Sequence, residues 1–161
     1  FKYYPLIKKE LSSNSYIYII PFHTNCLSEN MKLNKIKMFL YKKGLSCPRV
    51  QNVVIGSIYC MINYGYSNIH LYGVEHSWTT QLVVNNKNQV CLKDVHYYDT
   101  EDIEIKPWRK CTGEFYKMHE ILRDLAFMFI GYHDLKKYAD LEGVKIINKT
   151  PNSFIDAFDK E

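Results

Sequence analysis

The amino-acid sequence predicts one α/β domain built on a parallel β-sheet, and three observations support this class. Residues 53–64 (VVIGSIYCMINY) form an apolar helical segment that ends at Gly65. Residues 69–74 (IHLYGV) then read as a strand that ends at a glycine, and 144–148 (VKIIN) read as a second strand that follows helical segments. A helix, a tight turn and a strand in this order are typical of the crossover unit of a parallel sheet.

The other predicted elements follow from local periodicity and turn residues. Residues 75–113 are predicted to be a long binding region with little regular structure, because long irregular stretches in compact domains usually carry function. The remaining elements are, in chain order, strands at 16–20, 37–41 and 81–84 and helices at 114–130, 132–142 and 154–158. Ser153 and Asp156 are expected to cap the last helix. The alternation of helices and strands predicts a single domain over residues 1–161.

Composition narrows the class of protein and its ligands. A chain of 161 residues with 47% hydrophobic and 24% charged residues is typical of a globular domain. The net charge of +4 favours an anionic ligand or membrane surface and falls short of a nucleic-acid-binding patch. The five cysteines are widely spaced and are expected to be small buried residues in a reducing cytosol. No apolar run is long enough to span a membrane, and the start at Phe1 suggests part of a longer protein.

The segment 73–78 (GVEHSW) directly follows a predicted parallel strand, and ligands of open parallel sheets bind beyond such strand ends. Gly73 would allow a ligand to approach the backbone, Glu75 would hold a pair of sugar hydroxyls, and Trp78 would stack on a ring. The alternative is a polar turn with a packed indole.

Two further groups of residues are candidates for ligand contact. Arg49, Gln51 and Asn52 precede the helix at 53–64, and a helix N-terminus favours a phosphate. The alternative for Asn52 is a simple N-cap. His96 lies between acidic residues in the long loop and is a candidate general base, whereas its alternative is a solvated histidine. His76 and His96 lack the spacing of a metal pair, so no metal site is predicted.

These residues carry a resemblance to a known family. The segment 53–75 resembles the helix and glycine-terminated strand of bacterial family 42 sialyltransferases and of motility-accessory-factor proteins. It is also similar to proteins of capsule and lipopolysaccharide loci, in which an acidic residue continues as H-S-W, here 75–78 (EHSW). Residues 95–99 (VHYYD) resemble the family's H-Y block, and 143–153 resemble its closing strand and P-N-S turn. The resemblance covers residues 47–161.

The resemblance implies a Rossmann-like, three-layer, GT-A-like α/β fold that lacks its N-terminal part here, with 47–161 as the nucleotide-sugar-binding half. By position it places the donor site at Arg49, Gln51, Asn52, Gly73, Glu75, His76, Ser77 and Trp78. The tyrosines that assist phosphate departure in the sialyltransferases are replaced by Ser77 and Val83, and the place of their catalytic histidine holds Thr100. His96, with Tyr97 beside it, then remains the catalytic candidate.

The implied function is inverting transfer of a sugar, such as a CMP-linked nonulosonic acid, from a nucleotide-sugar donor to a bacterial surface glycan. No metal or other cofactor is implied. One alternative is a non-catalytic nucleotide- or glycan-binding module, and another is a pterin diphosphokinase-like enzyme, which would require magnesium. The expected partners are the nucleotide-sugar donor and a glycan acceptor, without nucleic acid; a membrane surface and a second copy of the chain remain open. The expected location is the cytoplasm, including the surface of the inner membrane.

Overall fold

The structure is a computed structural model that describes Pro5, Lys9 and residues 23–27, 34–93 and 105–161. Its regular elements are helices α1 (Asn34–Lys42), α2 (Val53–Asn63) and α3 (Met118–Leu141), strands β1 (Asn68–Leu71), β2 (Leu82–Val84), β3 (Val90–Lys93), β4 (Ile105–Pro107), β5 (Lys145–Asn148) and β6 (Asp159–Lys160), and a short 3-10 helix (Trp78–Gln81). The strand predicted at 16–20 and the residues His96 and Tyr97 lie outside the described residues.

A three-stranded parallel sheet with the order β1-β5-β6 confirms the α/β class. Ile69 of β1 is paired with Ile146 of β5, and both are buried in one hydrophobic core with residues of α2 and α3. His70, on the opposite face of β1, is exposed. The described residues therefore show helices packed with one face of the sheet, and the finer prediction of a three-layer arrangement stays a prediction.

Helix α2 and strands β1 and β5 occur where the sequence predicts them. Asn52 has an extended backbone (φ −151°) and its Oδ1 accepts a hydrogen bond from Ile55 N–H at 3.0 Å, which is the geometry of an N-cap. At the other end, Gly65 has φ +86° and its N–H donates to Ile62 O at 3.0 Å. Local signals at both ends thus fix this helix.

The strand predicted at 37–41 is wrong, because these residues lie in α1. Lys37, Met38 and Tyr41 are buried, which is the spacing of one helix face and not the alternation of a strand. Lys37 Nζ lies 2.5 Å from Asp134 Oδ2 of α3, and the Tyr41 ring packs edge-on to Tyr138 at 5.6 Å. The distant helix α3 therefore supplies the partners that stabilise α1.

The two helices predicted at 114–130 and 132–142 are the single helix α3, which begins only at Met118 and passes through Gly131 without a break. A Cβ atom at Gly131 would lie 2.8 Å from Arg49 O and 3.1 Å from Ile55 Cδ1. Glycine at this position therefore reflects the close approach of α3 to the start of α2, and not the end of a helix.

The region 75–113 contains more regular structure than predicted. The predicted strand at 81–84 is confirmed as β2, and it pairs antiparallel with β3, which pairs antiparallel with β4. The pairs Val84↔Val90 and Cys91↔Pro107 give the register of this second sheet. The sequence signal for β4 is weak because Pro107 cannot donate a ladder hydrogen bond.

The helix predicted at 154–158 is also wrong, because the described chain there is irregular and leads into β6. Ser153 Oγ accepts from Ile155 N–H at 3.3 Å, as a cap would, but its hydroxyl donates to Val74 O at 2.6 Å. Asp156 Oδ1 lies 3.2 Å from His133 Nε2 and caps no helix. Contacts with the loop after β1 replace the predicted local structure.

Two expectations from composition can be compared with the structure. Cys47 and Cys91 are buried as predicted. Cys26 and Cys111 are exposed, so the prediction that the cysteines are buried residues is wrong for these two. Across residues 34–93 and 105–161, none of the helices combines the length and apolar character that crossing a bilayer requires.

Candidate functional site

The carboxyl ends of β1 and β5 lie side by side, and the loops that leave them are hydrogen-bonded to each other. Val74 N–H donates to Thr150 Oγ1 at 3.1 Å, and the Ser153 hydroxyl donates to Val74 O at 2.6 Å. Phe154 N–H donates to Glu75 O at 2.8 Å. The segment 150–154, which contains the P-N-S turn, therefore holds the loop after β1 in place and is here called the clamp.

The loop after β1 contains two residues in the left-handed region of backbone space. Gly73 has φ +67°, which costs a glycine little. His76 has φ +52°, and for a residue with a Cβ atom this conformation costs about 1–2 kcal/mol. Strain of this kind persists only where the surroundings impose it, and it is often found at functional sites. It marks His76 as a residue held in a defined position.

Asn52, His76 and Tyr132 form a hydrogen-bonded cluster, here called the Asn-His-Tyr cluster. His76 Nε2 lies 2.6 Å from Tyr132 Oη and 3.3 Å from Asn52 Nδ2. Tyr132 Oη is also 3.3 Å from Asn52 Oδ1. The cluster joins the start of α2, the loop after β1 and the middle of α3, three segments that are far apart in sequence.

The cap of α2 determines which ring nitrogen of His76 carries the proton. Because Asn52 Oδ1 accepts from Ile55 N–H, the Nδ2 donor of the same amide faces His76. An imidazole nitrogen that faces a donor must accept, so the geometry assigns a lone pair to His76 Nε2 and the proton to Nδ1. The Tyr132 hydroxyl has one proton and two acceptors in reach, Nε2 at 2.6 Å and Asn52 Oδ1 at 3.3 Å, and the shorter contact assigns the proton to Nε2.

The electrostatics of the cluster favour uncharged groups. Burial lowers the pKa of His76, and the nearby Glu75 carboxylate opposes this shift without cancelling it. Burial raises the pKa of Tyr132 to about 12, and the Asn52 amide beside its hydroxyl opposes part of this shift. At neutral pH the cluster is therefore neutral, and the Nε2 lone pair is already engaged by Tyr132.

A pocket of about 230 Å³ adjoins the cluster and shares Asn52 with it. Trp78, whose ring centroid lies 4.7 Å from that of His76, also lines the pocket. The full lining is Gln51, Asn52, Trp78, Trp108, Tyr116, Ile121, Asp124, Leu125 and Met128. Both tryptophans of the chain therefore lie in this pocket. A mostly aromatic and apolar concavity with a few polar groups is typical of a small-molecule site.

The structure brings together only some of the residues predicted from sequence. Gln51, Asn52 and Trp78 line the pocket. His76 is not part of the lining but contacts two of these residues, Asn52 and Trp78. Asn52 is the N-cap of α2, so the alternative to phosphate contact is confirmed for this residue.

Four other predicted residues lie outside the pocket lining. The Arg49 guanidinium lies 3.8 Å from the centre of the Phe127 ring, and its carbonyl packs under Gly131. Glu75 and Gly73 are exposed, and Ser77 precedes the 3-10 helix. Their predicted contacts with a donor stay predictions.

Sequence reasoning missed seven residues of the site, namely Trp108, Tyr116, Ile121, Asp124, Leu125, Met128 and Tyr132. The signal for Asp124 was present, because it interrupts the apolar face of α3 between Ile121 and Leu125. For the three aromatic residues no local pattern distinguishes a pocket lining from a core position. Trp108 and Tyr116 join the site because the segment after β4 lies beside α3, and Tyr132 joins it through His76 and Asn52.

Among the residues that the structure describes, no group of three or more His, Cys, Asp or Glu side chains could hold a metal ion. Comparisons of the chain with protein-family models, with curated proteins and with solved structures found no match.

Proposed function

We propose that the chain is the nucleotide-sugar-binding part of a metal-independent glycosyltransferase that resembles the bacterial sialyltransferases and acts on a surface glycan. One observation supports a ligand site in an enzyme of this kind, without distinguishing donor from acceptor. Gln51 and Asn52, and Trp78 from a separate segment, meet at the carboxyl edge of the parallel sheet around a pocket with two indole rings. This edge is where ligands of open α/β sheets bind.

In the proposed reaction a sugar passes from a nucleotide donor, with a CMP-linked donor favoured, to a glycan hydroxyl. His96 takes the proton of that hydroxyl, with Tyr97 beside it, and Arg49 and the start of α2 lie on the donor side. His76 is not the base in this proposal, because its Nε2 lone pair accepts from Tyr132 and its pKa is lowered. It instead contacts the Asn52 amide and the Trp78 ring and holds them beside the pocket.

A second candidate is a glycan-binding module without turnover. The described pocket lining favours it, because Asp124 and Tyr116 are the titratable side chains there and no histidine is among them. In this case the aromatic pocket would bind a sugar and the chain would catalyse nothing.

Nucleotide binding and donor hydrolysis distinguish the two candidates. CMP, UDP and GDP are titrated against the protein by calorimetry, and CMP-, UDP- and GDP-sugars are then incubated with it while sugar release is followed. A transferase binds one nucleotide and hydrolyses the matching donor slowly. Binding of none of the three nucleotides, together with no hydrolysis, would refute the transferase.

The role of His96 is tested by His96→Ala, with the exposed His119→Ala as the matched control. Loss of a general base typically costs roughly 10²–10⁴-fold in rate. We expect His96→Ala to abolish transfer while nucleotide binding persists, and His119→Ala to retain both. Undiminished turnover by His96→Ala would exclude this histidine as the base.

A further inference from the structure

The charge of the pocket differs from what a nucleotide donor requires. Its described lining carries one carboxylate, Asp124, and contains no Lys, Arg or His side chain. A phosphate or a sialic acid carboxylate placed here would face this negative charge, which is unfavourable in a partly desolvated site. Among the described residues, two cations lie close by, Arg123 Nε at 3.9 Å from Asp124 Oδ1 and Lys110 Nζ at 5.6 Å from the centre of the Tyr116 ring, but neither lines the pocket. The start of α2 compensates only in part, because Asn52 Oδ1 already accepts from Ile55 N–H, one of the amides of its first turn. The pocket therefore suits an uncharged ligand.

Asp124 is placed to accept hydrogen bonds from such a ligand. The Tyr116 hydroxyl donates to its Oδ2 at 3.3 Å, whereas its Oδ1 lies 3.9 Å from Arg123 Nε, beyond hydrogen-bond distance. The side chain is 43% exposed, so water or a ligand hydroxyl reaches it. A carboxylate whose second oxygen makes only this long ion pair is well suited to accept from one or two hydroxyls of a sugar.

The aromatic side chains of the pocket supply the complementary apolar surface. Trp108 and Tyr116 meet edge to face with ring centroids 5.9 Å apart, and Trp78 lies on another side of the same pocket. The C–H face of a pyranose carries partial positive charge and packs on the electron-rich face of an indole. Aromatic surface beside hydrogen-bonding Asn52, Gln51 and Asp124 matches a ring that has one apolar face and an edge of hydroxyls.

Size limits the ligand to one ring. Sites for drug-sized ligands have volumes of about 300–1,000 Å³, and a nucleotide-sugar belongs in that class. The present pocket, at about 230 Å³, is smaller. We infer that it is the acceptor subsite and holds a single uncharged pyranose ring, with Asp124 accepting from its hydroxyls and the tryptophans packing on its face. The assignment as an acceptor subsite rests on the proposed transferase function. The binding of a neutral sugar does not depend on catalysis.

Intrinsic fluorescence tests the inference directly, because both tryptophans of the chain line the pocket. The full chain is titrated with methyl glycosides of glucose, galactose, mannose and N-acetylglucosamine, and separately with CMP, UDP and methyl glucuronide. At least one neutral glycoside should shift the emission and saturate in the millimolar range. Asp124→Asn should weaken that binding about tenfold, as expected for loss of a hydrogen bond to a charged acceptor. The matched control is Asp140→Asn, an exposed position on the same helix, which should change nothing.

Trp108→Phe, which keeps an aromatic ring, should weaken glycoside binding less than Trp108→Ala does. A far-ultraviolet circular dichroism spectrum and melting curve accompany each variant, and Asp124→Asn and Trp108→Phe are the decisive variants if Trp108→Ala does not fold.

The inference is overturned if none of the neutral glycosides binds, or if Asp124→Asn leaves their affinity unchanged. It is also overturned if CMP or UDP displaces a bound glycoside and binds more tightly to Asp124→Asn, because the pocket would then belong to the donor. Failure of the proposed function gives a different pattern. In that case neutral glycosides bind in an Asp124-dependent manner while the nucleotides neither bind nor have their sugar donors hydrolysed.

Discussion

The hydroxyl of Tyr132 offers the most informative single perturbation of the Asn-His-Tyr cluster. Its ring is fully buried (0% exposed), and its hydroxyl donates to His76 Nε2 at 2.6 Å. Tyr132→Phe removes this bond without opening a large cavity. His76 Nε2 keeps the longer contact of 3.3 Å with Asn52 Nδ2, so it is not left without any donor.

The expected cost in stability follows from this geometry. Loss of one buried hydrogen bond with a partly satisfied partner costs about 1–2 kcal/mol. For a chain of this length that corresponds to a fall of roughly 3–6 °C in the melting temperature. Tyr66→Phe, at a side chain that is 56% exposed, should change stability by less than about 0.5 kcal/mol.

The same substitution has a second readout that a purely structural role would not move. A hydrogen bond donated to Nε2 stabilises the neutral imidazole, so its removal should raise the pKa of His76 towards the ordinary 6.5. The pKa is measured by NMR titration of the ring protons. Tyr138→Phe is the matched control, because its buried hydroxyl donates to Asn63 Oδ1 at 2.7 Å and does not touch the cluster. It should lower stability by a similar amount and leave the His76 titration unchanged.

The opposite shift would refute the tautomer assignment. If Nε2 carried the proton and donated it to Tyr132, the hydroxyl would stabilise the imidazolium more than the neutral ring. Its removal would then lower the pKa of His76 further. An unchanged pKa would show that the hydroxyl makes no significant bond to this ring in solution.

Three further predictions concern the scaffold of the site. Since the pKa of His76 is lowered on folding, its contribution to stability should be fully present above pH 6.5 and be lost as the pH falls below 6.5 towards the folded-state pKa. Urea unfolding between pH 7.5 and 5.5 should show this loss, at most about 1.4 kcal/mol per pH unit, and His76→Asn should reduce it. Gly131→Ala should destabilise by about 1–2 kcal/mol, because a Cβ atom 2.8 Å from Arg49 O outweighs the gain of about 1 kcal/mol in helix propensity; greater stability in urea would contradict the close approach. Ser153→Ala should cost about 1–3 kcal/mol in the same assay because Val74 O loses its buried donor, and a neutral result would show that the clamp is unimportant.

The part of the fold that could be predicted from sequence is the part that rests on local signals. Helix α2 has a capping residue at Asn52 and a left-handed glycine at Gly65, and both are readable without knowledge of distant contacts. Strands β1 and β5 are short apolar runs bounded by turn residues. The prediction that the segment after β1 lies at a strand end beside a ligand pocket depends only on these elements and on the geometry of parallel sheets.

The candidate site was predicted less completely than the fold around it. Asn52 and Trp78 were identified because they flank predictable elements. Trp108, Asp124 and Tyr132 were not, because each becomes part of the site only when α3 and the segment after β4 meet the start of α2. A polar residue on the apolar face of a helix, as Asp124 is, was the one usable signal.

The sequence by itself determined the α/β class and the positions of α2, β1 and β5, although β1 ends at Leu71 and not at the predicted 73–74. These features depend on residues within one or two turns of each other, where backbone preference and capping dominate. The tertiary structure decided that 37–41 form a helix, that α3 continues through Gly131 and that His76 is a neutral hydrogen-bonded residue. Each of these depends on partners far away in the chain, such as Asp134 for Lys37, Arg49 for Gly131 and Tyr132 for His76. Burial and hydrogen bonding with such partners outweigh local propensity, and only the folded chain brings them together.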